Sequence, residues 1–206
     1  MTYVKVCGIK TAKDALWALE CGADALGFVF YRKSPRFIDP NSVRKITVKL
    51  PPDATTVGVF VNESAAFIRE TLKITGIKIA QLHGEELPEL LEAITAPTIK
   101  GIRIKNKSDL EQMKNYKPFA FLLDSKTDSY GGSGLSFDWG LAKKAKRYGR
   151  IIIAGGLTPD NVSGAINLVK PYGVDASSSV ESAPGKKDKV KIRDFIRAVR
   201  QTENLL

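Results

Sequence analysis

Histidine occurs once and cysteine twice in the 206 residues of this chain. A zinc site of the usual kind gathers several His or Cys ligands, so that chemistry is excluded and no metal is expected. So few thiols also exclude a disulfide framework. Cys7 closes an apolar run and Cys21 ends a helical pattern just before Gly22, and both are read as free thiols. No apolar stretch approaches the ~20 residues that a membrane helix needs. The opening Met1-Thr2-Tyr3-Val4-Lys5-Val6 lacks the basic, apolar and small-residue zones of a secretory leader, because a strand begins at once. A cytoplasmic protein without membrane contact is the expectation. Low-complexity tracts and linkers are missing too, which points to one domain over residues 1–206.

Acidic residues are the scarcer charge: 22 Asp and Glu against 32 Lys and Arg give a formal charge of +10. The basic residues are spread over helical faces and through Lys186–Arg200, not gathered with aromatics into one strip. Nucleic acid is therefore not the expected partner. A positive field does favour capture of a small anion.

What the chain does have is a regular alternation. Eight apolar runs of strand length stop abruptly at small or polar residues: Val4–Ile9, Ala25–Phe30, Thr56–Val61, Ile77–Leu82, Ile99–Ile104, Phe119–Leu123, Ile151–Ala154 and Val174–Ala176. Between them lie stretches with helical spacing of apolar residues, among them Ala12–Cys21, Ser64–Thr75, Trp139–Tyr148 and Pro159–Val169. Strands that are apolar throughout are buried on both faces, as in a parallel sheet covered by helices. Eight such units predict a single (β/α)8 TIM barrel, whose chemistry belongs at the C-terminal ends of the strands. Asp39-Pro40 and Thr158-Pro159 read as helix starts, and Gly84-Glu85-Glu86 reads as the acidic opening of the fourth helix.

The strand ends carry Cys7, Arg36, His83, Asp124, Gly155-Gly156 and Asp175. A thiolate and a carboxyl across a barrel mouth, Cys7 and Asp124, form a base–acid pair able to move a proton at carbon. Arg36 suits a planar carboxylate, Asp175 suits an amine or hydroxyl, and His83 either contacts substrate or bonds to neighbouring loops. Gly155-Gly156 and Ser177-Ser178-Ser179 follow the seventh and eighth strands. In such barrels those loops commonly bind phosphate through backbone N–H groups, which marks Gly155, Gly156, Ser178 and Ser179. The loop Ser125–Ser136, rich in glycine, is expected to serve the same face.

In this order, Val4-Lys5-Val6-Cys7-Gly8-Ile9, Gly27-Phe28-Val29-Phe30 with Ser34-Pro35-Arg36, Gln81-Leu82-His83-Gly84, Leu123-Asp124-Ser125, Ala154-Gly155-Gly156-Leu157 and Val174-Asp175 through Val180-Glu181 span nearly the whole chain. Together they resemble the phosphoribosylanthranilate isomerase family. The resemblance implies an Amadori rearrangement in tryptophan biosynthesis, without metal or cofactor, by a monomer or homodimer. It implies Cys7 as general base and Asp124 as general acid, with Arg36 facing the anthranilate carboxylate. Asp175 would lie near the bridging amine and the two last loops would hold the phosphate. The family commonly has glycine where this chain has Ser179; if that position needs positive φ, serine is strained there. Two related barrels compete. The histidine-pathway isomerase uses aspartates at both catalytic strand ends on a longer chain, against which Cys7 speaks. Indole-glycerol-phosphate synthase resembles a catalytic-lysine barrel, whereas no lysine here closes a strand in that role. A basic anion-binding barrel without chemistry is the non-enzyme alternative, against which the retention of Cys7 and Asp124 speaks.

Overall fold

A computed structural model describes residues 1–125 and 138–203 of the chain. Eight strands, β1 (Tyr3–Cys7), β2 (Ala25–Val29), β3 (Thr55–Phe60), β4 (Ile79–Leu82), β5 (Thr98–Ile104), β6 (Ala120–Ser125), β7 (Ile151–Ile153) and β8 (Gly173–Ala176), pair in sequence order. All are parallel, and β8 pairs with β1 to close the barrel. The helices that return the chain are α1 (Ala12–Glu20), α2 (Pro40–Thr47), α3 (Ala65–Thr75), α4 (Pro88–Glu92), α5 (Trp139–Ala145), α6 (Val162–Val169) and α7 (Lys189–Glu203). Between β5 and β6 the return is a 3-10 segment, Lys107–Asn115, started by an Asn106–Asp109 capping box. A small antiparallel pair, β9 (Glu181–Ala183) and β10 (Lys186–Lys187), follows β8. Among the described residues no helix is long and apolar enough to cross a membrane.

Successive side chains of a strand point to opposite faces, so each strand serves two cores. Val4, Val6, Leu26, Phe28, Phe60 and Leu82 face outward into the layer under the helices. There α7 contributes Ile192, Phe195, Ile196 and Val199, the spacing of one helical face. Each such side chain, fully buried, contributes about 1.5–3 kcal/mol by leaving water. The inward residues Ala25, Val57, Ile99, Ala120, Leu122 and Ile152 plug the barrel axis. Toward the C-terminal end that filling turns polar: Lys5, Gln81 and Asp175, then Cys7, His83 and Asp124. This change of polarity along the axis sets the place of the site.

Local signals fixed some boundaries and misled at others. Asp39 caps α2 by accepting from Ser42 N at 3.0 Å, with Pro40 at the first helical position, as expected. The first strand stops at Cys7 rather than Ile9 because Gly8 takes φ +83, outside the strand region. The helix expected from Pro159 starts at Val162. Asn161 Oδ1 accepts from Thr158 N at 2.8 Å, and its amide donates to Gly156 O at 2.8 Å, so this side chain organises the preceding turn instead of capping the helix. The fourth helix starts at Pro88, and Glu86 does not serve its positive end. Glu86 is buried, accepts from Asn62 N and Gly84 N, and pairs with Lys100 Nζ at 2.7 Å. Of the loop Ser125–Ser136, all but Ser125 lies outside the described residues.

Candidate active site

Lys5 and Cys7 stand two residues apart on the inward face of β1. Cys7 is register-paired with Gly27 on β2, where a Cβ would come within 2.7 Å of the Cys7 sulfur. Glycine at 27 is what leaves the thiol its room. Lys5 is the register partner of Asp175 on β8 and donates to its Oδ1 at 2.9 Å. Lys5 is 0% exposed, and Cys7 is the next residue of β1 on the same inward face. Burial alone would lower the Lys5 pKa, but the charges of Asp175 and then Cys7 outweigh it and leave the pKa raised. Burial pushes the Cys7 thiol above its ordinary range; Lys5 and Lys187 pull against that, and Asp175 adds to it.

Asp124 is the penultimate residue of β6 across the mouth, buried, with Oδ1 accepting from Ser125 N at 2.8 Å. Gly155, at φ +75, passes so close that a Cβ would lie 2.5 Å from Asp124 Oδ1. His83 Nε2 faces Asp124 Oδ2 at 3.4 Å, and Gln81 Nε2 lies 3.1 Å from His83 Nδ1. With Gln81 donating to Nδ1, the ring proton sits on Nε2. Among the described residues neither His83 Nε2 nor Gln81 Oε1 has a hydrogen-bond partner, although both are buried. They form a donor and an acceptor in the floor of the cleft. Gly101 accommodates the imidazole, since a Cβ there would lie 2.5 Å from His83 Nδ1.

Arg36 is buried on the third side. Its guanidinium makes a two-point pair with Glu181: Nε donates to Oε1 at 2.9 Å and Nη2 to Oε2 at 2.8 Å. Lys187 Nζ donates to the same Oε1 at 2.9 Å and to Ser177 O at 3.0 Å. Burial would raise the Glu181 pKa, but Arg36 and Lys187 reverse the sign and hold it below the usual carboxylate range. The planar fork expected to meet a ligand carboxylate is thus spent on Glu181. Nη1 is the part of it free of that pair.

Cys7, Arg36, His83, Asp124 and Asp175 line one cleft of about 530 Å³, measured out to open solvent. A second cleft, about 360 Å³, is lined by Gly155, Gly156, Ser177, Ser178 and Ser179, again with Asp124 and Asp175. Because the two share Asp124, Asp175 and Ser177, they are parts of one groove across the mouth. All nine residues expected from the sequence therefore meet. Ser179 is in a 3-10 turn, Ser178–Val180, and among the described residues only Asn62 and Lys170 take positive φ without being glycine. Strain at Ser179 is absent. Sequence reasoning assigned nothing to Lys5, Gln81 or the Glu181–Lys187 pair. A lysine in an otherwise apolar strand, two residues before Cys7, is the signal that was there to use.

The family model for N-(5'-phosphoribosyl)anthranilate (PRA) isomerase matches residues 4–198. The N-(5'-phosphoribosyl)anthranilate isomerase of Pelobacter propionicus is 49% identical over 205 residues, covering 99% of this chain and 98% of its own. That of Geobacter sulfurreducens is 48% identical over 201 residues, covering 97% and 99%. The crystal structure of the Thermotoga maritima phosphoribosyl anthranilate isomerase superimposes with a TM-score of 0.93 at 46% identity, covering 98% of this chain and 100% of that one. A phosphoribosyl anthranilate isomerase crystal structure in complex with reduced 1-(o-carboxyphenylamino)-1-deoxyribulose 5-phosphate superimposes with a TM-score of 0.89 at 42% identity, covering 98% of this chain and 100% of that one.

Proposed function

The chain belongs to the phosphoribosylanthranilate isomerase family, and we propose that its groove performs that family's reaction with Cys7 as general base and Asp124 as general acid. It isomerises N-(5'-phosphoribosyl)anthranilate to 1-(2-carboxyphenylamino)-1-deoxyribulose 5-phosphate in tryptophan biosynthesis. Protonated Asp124 gives its proton to the furanose ring oxygen as the C1–O bond breaks, and the anilino nitrogen supplies the electrons, leaving an iminium ion. The Cys7 thiolate then takes the proton from C2, and those electrons neutralise the iminium to an enolamine. Tautomerisation of the enolamine gives the ketone.

The supporting observation is the groove itself. Thiol and carboxyl face each other in a cleft continuous with a Gly-Gly and serine-lined pocket. Two consecutive glycines at φ +75 and φ +65 turn the backbone there without side-chain bulk, so N–H groups can approach a phosphate. Asp175 places a negative charge beside the developing iminium, and Arg36 Nη1 takes the anthranilate carboxylate. Gln81 and His83 are placed to meet sugar hydroxyls. No cofactor has a part in this chemistry, and a cytoplasmic location fits a biosynthetic enzyme. A solved relative from Thermotoga maritima is described as monomers generated from a dimeric enzyme, so monomer and homodimer are both within reach of this fold.

The experiment is a turnover assay of the purified full chain with N-(5'-phosphoribosyl)anthranilate, followed by chromatography of the ketose phosphate. Metal-independent conversion, unchanged by chelator, is the expected result. A folded chain that leaves the substrate unconverted overturns the reading.

A further inference from the structure

Lys5 is fully buried at the mouth, and the reaction so far gives it no task. A lysine loses about 2 kcal/mol of side-chain freedom when fixed, and its ammonium is costly to take out of water. A partner for Asp175 alone does not explain why the cation stands on β1, two residues below Cys7 on the same face. An ammonium has three donors. One is committed to Asp175 Oδ1 at 2.9 Å, and Cys7 is the next residue of β1 on the same inward face, so the others are left to the thiolate beside it.

We propose that Lys5 is a positioning residue for the base: its ammonium, anchored on Asp175, holds the Cys7 thiolate in place and in charge. This rests on Cys7 being the base. The other charged groups facing Cys7 are Asp175 on β8 and Lys187 on β10. Lys187 is already shared by Ser177 O and Glu181, and Glu181 is in turn paired with Arg36. Asp175 further faces Asp124 on β6 and His83 just after β4. Lys5 is therefore the cation with a donor to give. Fully buried and anchored on Asp175, it needs no large rearrangement when the thiolate forms. When Cys7 takes the C2 proton, the thiolate charge is neutralised while the Lys5–Asp175 pair persists, so no buried charge is left unpaired.

The test uses a Cys21→Ser background, in which Cys7 is the only thiol. The rate of alkylation by iodoacetamide is measured against pH, a readout independent of turnover. Lys5→Gln should move the midpoint up by about one pH unit, slowing alkylation at neutral pH roughly tenfold. Asp175→Asn should move it down, because it removes the opposing charge. Opposite signs from two halves of one ion pair are not produced by a merely structural role. The acid limb of kcat/KM should follow the Lys5→Gln midpoint with KM little changed. If the single variant fails to fold, Lys5→Met with Asp175→Asn leaves no lone buried charge and should still raise the midpoint, since Lys5 acts on Cys7 more strongly than Asp175 does. An unmoved midpoint in either folded lysine variant, or shifts of one sign in Lys5→Gln and Asp175→Asn, overturns the proposal. Loss of the base assignment shows separately, as normal turnover in Cys7→Ala.

Discussion

Ser179 shows how a single backbone angle decides the sign of a substitution. Its 3-10 conformation suits any residue, so glycine there brings no relief. Ser179→Gly should lower stability by about 0.5–1 kcal/mol in denaturant unfolding, through the greater freedom of glycine in the unfolded chain. Ser179→Asp should instead preserve stability and raise KM strongly, because it sets a carboxylate against the phosphate. An unchanged KM would place the phosphate elsewhere. At this scale Cys7, His83, Asp124 and Asp175 were legible because each lies within one residue of a strand's C-terminal end, and strand ends are where a barrel keeps its chemistry. Lys5 and Glu181 were not. The partner of Lys5 is 170 residues away and Arg36, the two-point partner of Glu181, is 145 away, and neither of these pairings leaves a mark in local sequence.

At the scale of elements, the strands were readable because burial on both faces leaves unbroken apolar runs, while helix starts depended on what competes for the capping side chain. Asp39 has only its own helix to serve and caps it. Glu86 is drawn away by Lys100 on β5 and by the N–H groups of Asn62 and Gly84, and so ties the loops after β3 and β4 together. Removing one partner of a buried pair costs about 3–5 kcal/mol. Glu86→Ala should therefore lower stability by that order in chemical denaturation, far beyond the effect of losing a helix-end charge. A loss below about 1 kcal/mol, the scale of a surface or helix-dipole interaction, would restore the simpler reading of Glu86.

For the whole molecule, the charge of +10 acts on a substrate that carries both a phosphate and a carboxylate. Long-range attraction raises the rate of encounter and is screened beyond about 8 Å at physiological salt. The expectation is that kcat/KM falls as sodium chloride is raised while kcat stays nearly constant. Equal loss in both parameters would assign the salt effect to the groove's own ion pairs instead.

The barrel brings these scales together at two side chains on opposite walls of one mouth, and their roles are open to direct measurement. The decisive quantity is the single-turnover rate of the chemical step in Cys7→Ala and Asp124→Asn, with the fold checked by circular dichroism. Asparagine keeps the shape of aspartate but cannot deliver a proton. Each folded variant should lose about 10²–10⁴-fold in rate. A near-normal rate in either one would remove that residue from the mechanism and contradict the account.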